Sequence, residues 1–338
     1  MNPPVNAPGF APFFPNGHMQ TLLGNFWKRP VTEDRFPIVR RLYGTEPGVR
    51  VAVDEQFPES TPQAHAVLVH GLEGSSQSGY IRSLSRDLLA AGFAVRRFNM
   101  RGCGGTEHLS PSNYHSGQTS DARAVIETIR RQTHAPVVLV GFSLGGNMSL
   151  KLAGELGPNG GGLIAAVCAV STPIDLAACS RKIGSPVNVL YERRFLRALR
   201  ARIERRHAEY PERFSLEPMR SVRSIWDFDH AYTAKEFGFG TAENYYGTQS
   251  ANRFIAQIGV PALLIQAKDD PMIPFDVYEH PSIRANPLVR LLSVEHGGHV
   301  GFVSRQQPRF WIDRVITGWC GEALAGLGNH AGSRAVLD

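Results

Sequence analysis

The 338 residues predict an α/β fold, with a mostly parallel sheet, helices on both faces and an inserted helical cap. Three observations carry this expectation. Short apolar runs rich in β-branched residues alternate with helical stretches through the first half of the chain. One run, Val137 to Val140, passes through Gly141-Phe142-Ser143-Leu144-Gly145 straight into a helical stretch from Asn147 to Leu156. The alternation stops near residue 176 and resumes at Pro261, which leaves room for an insertion.

Composition sets the bounds. A hydrophobic content of 42% with 20% charged residues permits a sizeable core. The longest apolar run, Leu163 to Val170, suits a core strand and falls well short of a membrane span. The first residues carry neither a basic n-region nor an apolar h-region, which reads as no signal peptide and a cytoplasmic protein. Cys103, Cys168, Cys179 and Cys320 are scattered with no C-x-x-C, the pattern of reduced thiols rather than of a disulfide frame or zinc site. The net charge of +6 comes almost wholly from arginine, spread along the chain, and reads as a solvated surface rather than a nucleic-acid footprint. No metal or cofactor is called for.

In chain order, residues 1–35 are rich in proline, asparagine and aromatics, too apolar for a free tail, and are expected to wrap over the body. His18 within them is read as structural. Ile38 to Tyr43 and Val49 to Phe57 form an antiparallel pair around a turn at Gly44 to Gly48. A buried strand from Ala66 runs into His70-Gly71 and a loop of small residues. Tyr80 to Ala91 is helical and stops at Gly92; Phe93 to Phe98 is a strand feeding the Gly-rich loop Asn99 to Gly105. That loop lacks a phosphate-binding pattern and is expected to pack beside the serine turn. Thr119 to Gln132 is a helix, with Thr119 or Ser120 as its cap. After the serine turn and its helix, Leu163 to Val170 is again a strand, ending near Asp175.

The core is thus expected over 1–175 and 251–323, the cap over 176–250, and a frayed tail over 324–338. The cap carries a helix around Leu190 to Glu209 with arginines at 193, 194, 197, 200, 202, 205 and 206. These read as a solvated face opposite a stripe of Phe195, Leu196, Leu199 and Ile203, with weak contact to an anionic membrane surface as the functional alternative. Strands at Pro261 to Ala267 and Leu288 to Val294 and a helix at about Pro308 to Cys320 complete the core.

A strand–turn–helix with serine at the turn holds the hydroxyl in strained backbone at the carboxyl end of a sheet, and the flanking glycines avoid a Cβ clash. The first helical N–H groups lie beside it. Leu144 N–H is therefore one candidate oxyanion donor, and Leu72 N–H, after Gly71, the second. A serine needs a base, and the base needs an acid; along such folds the order is Ser, Asp, His, each at a strand end. Asp269-Asp270 follows the penultimate strand and His296/His299 the last. Asp270, before Pro-Met-Ile-Pro, is preferred as the acid, with Asp269 bracing the loop and Asp175 a minor candidate. His299, after Gly297-Gly298, is preferred as the base over His296. His70 is read as a loop brace. A metal site from these groups is a weaker reading, as there is no H-E-x-x-H.

The same residues carry a resemblance. Asn16-Gly17-His18 with Gln20-Thr21, His70 to Ser76, Asn99 with Arg101-Gly102, Tyr114 to Gly117, Gly141 to Asn147, Asn244 to Tyr246, Asp269 to Pro271 and His296 to Phe302 together resemble the YheT-like branch of the α/β-hydrolase superfamily. That resemblance implies the α/β-hydrolase fold with its eight-stranded type of sheet. It also implies a charge relay of Ser143, Asp270 and His299, hydrolysis of small-molecule carboxylic esters, and lipid substrates in eukaryotic relatives. Acyl transfer by the same triad, and a non-catalytic binding module on the same fold, are the rival expectations.

Overall fold

The computed structural model describes residues 7–31 and 33–334. Its frame is one eight-stranded sheet in the order β1-β2-β4-β3-β5-β6-β7-β8. The strands are β1 (Val39–Glu46), β2 (Val49–Gln56), β3 (Ala64–Val69), β4 (Phe93–Phe98), β5 (Val137–Phe142), β6 (Ala166–Val170), β7 (Ala262–Ala267) and β8 (Val289–Val294). β1 pairs antiparallel with β2, and β2 with β4; every later pairing is parallel.

Strands β3 to β7 are buried end to end because helices cover both faces, so their sequences read as largely apolar runs, whereas the edge strand β8 is half-buried. Alternate residues face opposite ways. Ala66, Leu68, Val138 and Val140 pack with α2 (Gly79–Ala90) and the last helix, α11 (Trp311–Arg334), through Leu84, Leu88, Ile316 and Trp319. Val67, Val69 and Leu139 pack on the other face with α3 (Thr119–Thr133) and α4 (Leu144–Leu156), through Val125, Ile129, Met148 and Leu152. The chain passes from β3 to β4 on one side and then returns to β5 on the other. That reversal opens a crevice at the strands' carboxyl ends, the usual place for a ligand in such sheets.

Between β6 and β7 the sheet pauses. This stretch holds α5 (Leu176–Ile183), α6 (Val189–Glu209), α7 (Ile225–Phe228), a π-turn at Asp229–Thr233, α8 (Ala234–Glu236) and α9 (Ala242–Gln249). α10 (Pro281–Ala285) lies between β7 and β8.

Several local expectations differ from the structure, beginning with the strand expected from Leu163, which starts at Ala166. The N-cap of α3 is Gln118, with no side-chain capping bond, so neither Thr119 nor Ser120 caps it; Ser120 Oγ donates instead to Glu46. α11 runs to Arg334, past the expected end at Cys320; the tail expected from 324 begins inside it, and residues 335–338 lie outside the described residues. The N-terminal stretch contains a helix, α1 (Gly17–Phe26), that its irregular composition does not announce.

Arg202 and Arg206 of α6 are buried rather than solvated. Arg202 pairs with Glu73 at 2.7 Å, and Arg206 donates to the carbonyls of Glu107 and Ser110 at 2.6 and 2.8 Å. Both sit on the turns beside Leu199 and Ile203, so the helix carries its charge inward at one end. Hydrogen bonds offset part of the desolvation of these guanidinium groups, though Arg206 Nε and Nη2 have no hydrogen-bond partner among the described residues.

Candidate active site

Ser143 stands where β5 stops and α4 starts. Its φ of 52° is a left-handed value that a non-glycine residue rarely adopts, and its N–H donates to Val170 O at 2.8 Å. The turn is closed tightly enough that a Cβ on Gly145 would lie 2.4 Å from His70 O, which is why only glycine fits there.

From this turn a line of hydrogen bonds crosses three strand ends. Ser143 Oγ lies 2.9 Å from His299 Nε2, and His299 Nδ1 lies 2.9 Å from Asp270 Oδ2. Asp270 is buried, and its carboxylate is held from several sides. Oδ1 accepts the N–H groups of Met272 and Ile273 at 2.8 and 3.1 Å, and Oδ2 accepts from Gln266 at 3.2 Å. With Oδ2 beside Nδ1, the imidazole carries its proton on Nδ1 and turns Nε2 to the serine as an acceptor.

The neighbouring candidates are engaged elsewhere. Asp269 accepts the N–H groups of Gly297 and Gly298, both at 2.9 Å, and faces His296 Nδ1 at 3.2 Å, so this pair ties the loop after β7 to the loop after β8. Asp175 caps α5 through Ala178 N–H. His70 is buried with Nδ1 donating to Gly71 O and Nε2 accepting Met100 N–H. Burial pushes its pKa down to about 4, so it stays neutral while bracing the loop. His18 is exposed and stacks on Tyr191 of α6.

Leu144 N–H opens α4, where the first turn has no intrahelical acceptor, and Leu72 follows Gly71 in the loop after β3. Both residues line, with Ser143 and His299, a cavity of about 110 Å³ whose walls include Leu176, Ile183, Ile225 and Phe228. A second cavity of about 300 Å³ meets the first at Ser143, His299, Leu72 and Phe195, and is walled by Tyr80, Asn25, Tyr191 and Arg194. The site thus has an apolar arm and a more polar, roomier arm, joined at the serine.

Two supports escaped sequence reasoning. Thr21 of α1 accepts His299 N–H at 2.8 Å while donating to Gly17 O at 2.6 Å. α1 approaches so closely that a Cβ on Gly17 would meet Asp269 O. Lys182 of α5 donates to the carbonyls of Asp270 and Ile273 at 2.7 and 3.0 Å. Only the Gln20-Thr21 pair left a trace in the sequence, as part of the resemblance.

Comparison with known proteins agrees with this architecture. A family model described as the alpha/beta hydrolase fold matches residues 65–306. The "Putative esterase YheT" of Escherichia coli (strain K12) is 35% identical over 313 residues, covering 90% of each chain. "Phospholipase ABHD3" of Mus musculus is 28% identical over 310 residues, covering 88% of this chain and 74% of its own. Among solved structures, the Pyrococcus furiosus esterase Pf2001 superposes with a TM-score of 0.56 over 86% of this chain and 96% of its own, at 16% identity, a likeness of fold. On its sheet, its serine turn and these matches, the chain belongs to the α/β-hydrolase family.

Proposed function

We propose that this protein is a serine hydrolase that cleaves carboxylic esters through an acyl-enzyme, with Ser143 as nucleophile, His299 as general base and acid, and Asp270 as the group that fixes and stabilises the imidazole. The observation that carries the reading is the unbroken line from Ser143 Oγ through His299 to Asp270, with both contacts at 2.9 Å.

Ser143 Oγ attacks the ester carbonyl as His299 Nε2 takes its proton. The N–H groups of Leu72 and Leu144 hold the oxyanion. His299 then gives the proton to the departing alcohol oxygen. Water, deprotonated by the same nitrogen, attacks the acyl-enzyme and releases the acid. Asp270 keeps the Nδ1 proton and the imidazole in place throughout.

The apolar arm suits a hydrocarbon acyl group, and the larger arm the alcohol half, consistent with relatives named as an esterase and a phospholipase. In the same reading, residues 176–250 form a cap inserted between two parts of the hydrolase core.

Fluorophosphonate labelling with peptide mapping, beside a p-nitrophenyl ester chain-length series, tests this. The parent protein should label at Ser143, and Ser143→Ala should lose labelling and about 10³-fold or more of kcat. Undiminished turnover in Ser143→Ala would falsify the mechanism. Added alcohols that divert most product into new esters would reassign the reaction to acyl transfer.

A further inference from the structure

The larger cavity opens between two helices that leave large apolar side chains in the open. On α1, Met19, Leu22 and Phe26 recur at helical spacing along one face, and Phe26 is 75% exposed. In the turn before α6 and in its first turn, Val187 and Leu190 are 78% and 76% exposed. The two helices stand side by side here. His18 stacks on Tyr191, Arg194 reaches Asn25 at 3.5 Å, and Leu22, Asn25, Tyr191 and Arg194 line one cavity. Leu190 precedes Arg194 by four residues and shares its face of α6. Leu22 thus lines the cavity that leads to Ser143, and Phe26 and Leu190 adjoin the lining residues Asn25 and Tyr191 in the chain.

Exposed singly, such side chains need no explanation; gathered at the entrance of a site, they do. The turns of α6 from Arg193 to Arg206 add mostly positive charge, seven arginines against the exposed Glu204. Arg202 and Arg205 have acidic partners, whereas among the described residues Arg193, Arg197 and Arg200 have none, and all three are exposed. Apolar side chains beside unpaired guanidinium groups are the chemistry of an interfacial anchor.

We infer that this face docks on an anionic lipid bilayer. The apolar side chains enter the acyl boundary, Arg193 and Arg197 meet the headgroups, and the larger cavity faces the interface. A lipid ester would then reach Ser143 without crossing water. The charge match selects an anionic bilayer over a second copy of this net-positive chain. The inference rests on the ester-hydrolase reading for its substrate, but docking itself needs no chemistry and is read without it.

The test is sedimentation of the full chain with large unilamellar vesicles, either phosphatidylcholine alone or phosphatidylcholine with phosphatidylglycerol, over a salt series. The parent and Ser143→Ala should both sediment with the anionic vesicles and release as salt rises. The double variant Phe26→Ser with Leu190→Ser should weaken anionic-vesicle binding about tenfold or more, yet keep the parent's circular dichroism and its turnover of p-nitrophenyl acetate. Arg193→Gln with Arg197→Gln should reduce the preference for anionic vesicles. Failure of the parent to sediment, or equal binding by the Phe26/Leu190 double variant, would overturn the inference. So would concentration-dependent dimerisation of the parent that the same double variant abolishes, since the face would then belong to a second copy. If Ser143→Ala binds vesicles but keeps its turnover, the catalytic reading fails and the docking stands.

Discussion

Two aspartates beside the site are held by different partners. The Asp270 carboxylate accepts the N–H groups of Met272 and Ile273 and faces His299 Nδ1. Asp229, on the wall of the apolar arm, is pushed by burial up to about 6, and hydrogen bonds from Tyr246 at 2.6 Å and Thr233 at 2.7 Å offset only part of that cost. Its folded pKa lies above the ordinary value of 3.8, so between these values the folded state binds a proton that the unfolded state has released. The stability linked to that proton is present on the acid side and lost as pH rises through about 6. Asp229→Asn removes the titration. Its urea midpoint should gain on the parent's as pH rises from about 4 to about 7. A difference constant across that range would show that the carboxyl titrates alike in both states.

At the scale of elements, α6 does more than cover the site. Arg202 reaches Glu73, whose φ of 55° is itself strained, and Tyr114 OH meets both Glu73 N–H and its carboxylate. Glu73 follows Leu72, so the ion pair pins the loop that bears a proposed oxyanion donor. A charge-assisted bond between groups this buried is costly to break from one side, since the partner is left unpaired. Arg202→Leu should therefore lower kcat about tenfold or more for a short ester with little change in KM. An effect on KM alone would limit Arg202 to shaping the cavity wall. The arginines of α6 also mark a limit of periodicity. The stripe of Leu199 and Ile203 is legible as a pattern, but Arg202 and Arg206 lie on its flank. Whether they meet water or the Glu73 and Glu107 loops is fixed by elements roughly a hundred residues away in the chain.

For the whole molecule, the N-terminal segment is a structural part of the site. Phe13 N–H pairs with Val303 O, Trp311 Nε1 donates to Pro8 O, and Thr21 holds the backbone of His299. Thr21→Val leaves the His299 N–H without its acceptor, at a cost of about 1–3 kcal/mol in a loop that must keep the imidazole aimed. A kcat loss of about tenfold, restored by Thr21→Ser, is the expected result. If serine fails to restore activity where valine reduces it, Thr21 acts through packing and not through its hydroxyl.

The sequence by itself determined the sheet and the order of its parts. Buried parallel strands must be runs of apolar residues, and a strand that turns into a helix through Gly-x-Ser-x-Gly can hardly be read otherwise. It also preferred Asp270 as the acid over Asp269 and Asp175, and His299 as the base over His296, because each follows a strand end. Only the tertiary structure decided which of them meet. Asp269 and Asp270 are neighbours on one loop and point to different partners, and His296 and His299 do the same across Gly297-Gly298. The outcome depends on Thr21, Gln266, Lys182 and Ser171, groups from separate parts of the chain that fix these loops by single hydrogen bonds. Local periodicity records what a residue buries against its own element's neighbours; it holds no record of a contact made across 278 positions, as between Thr21 and His299.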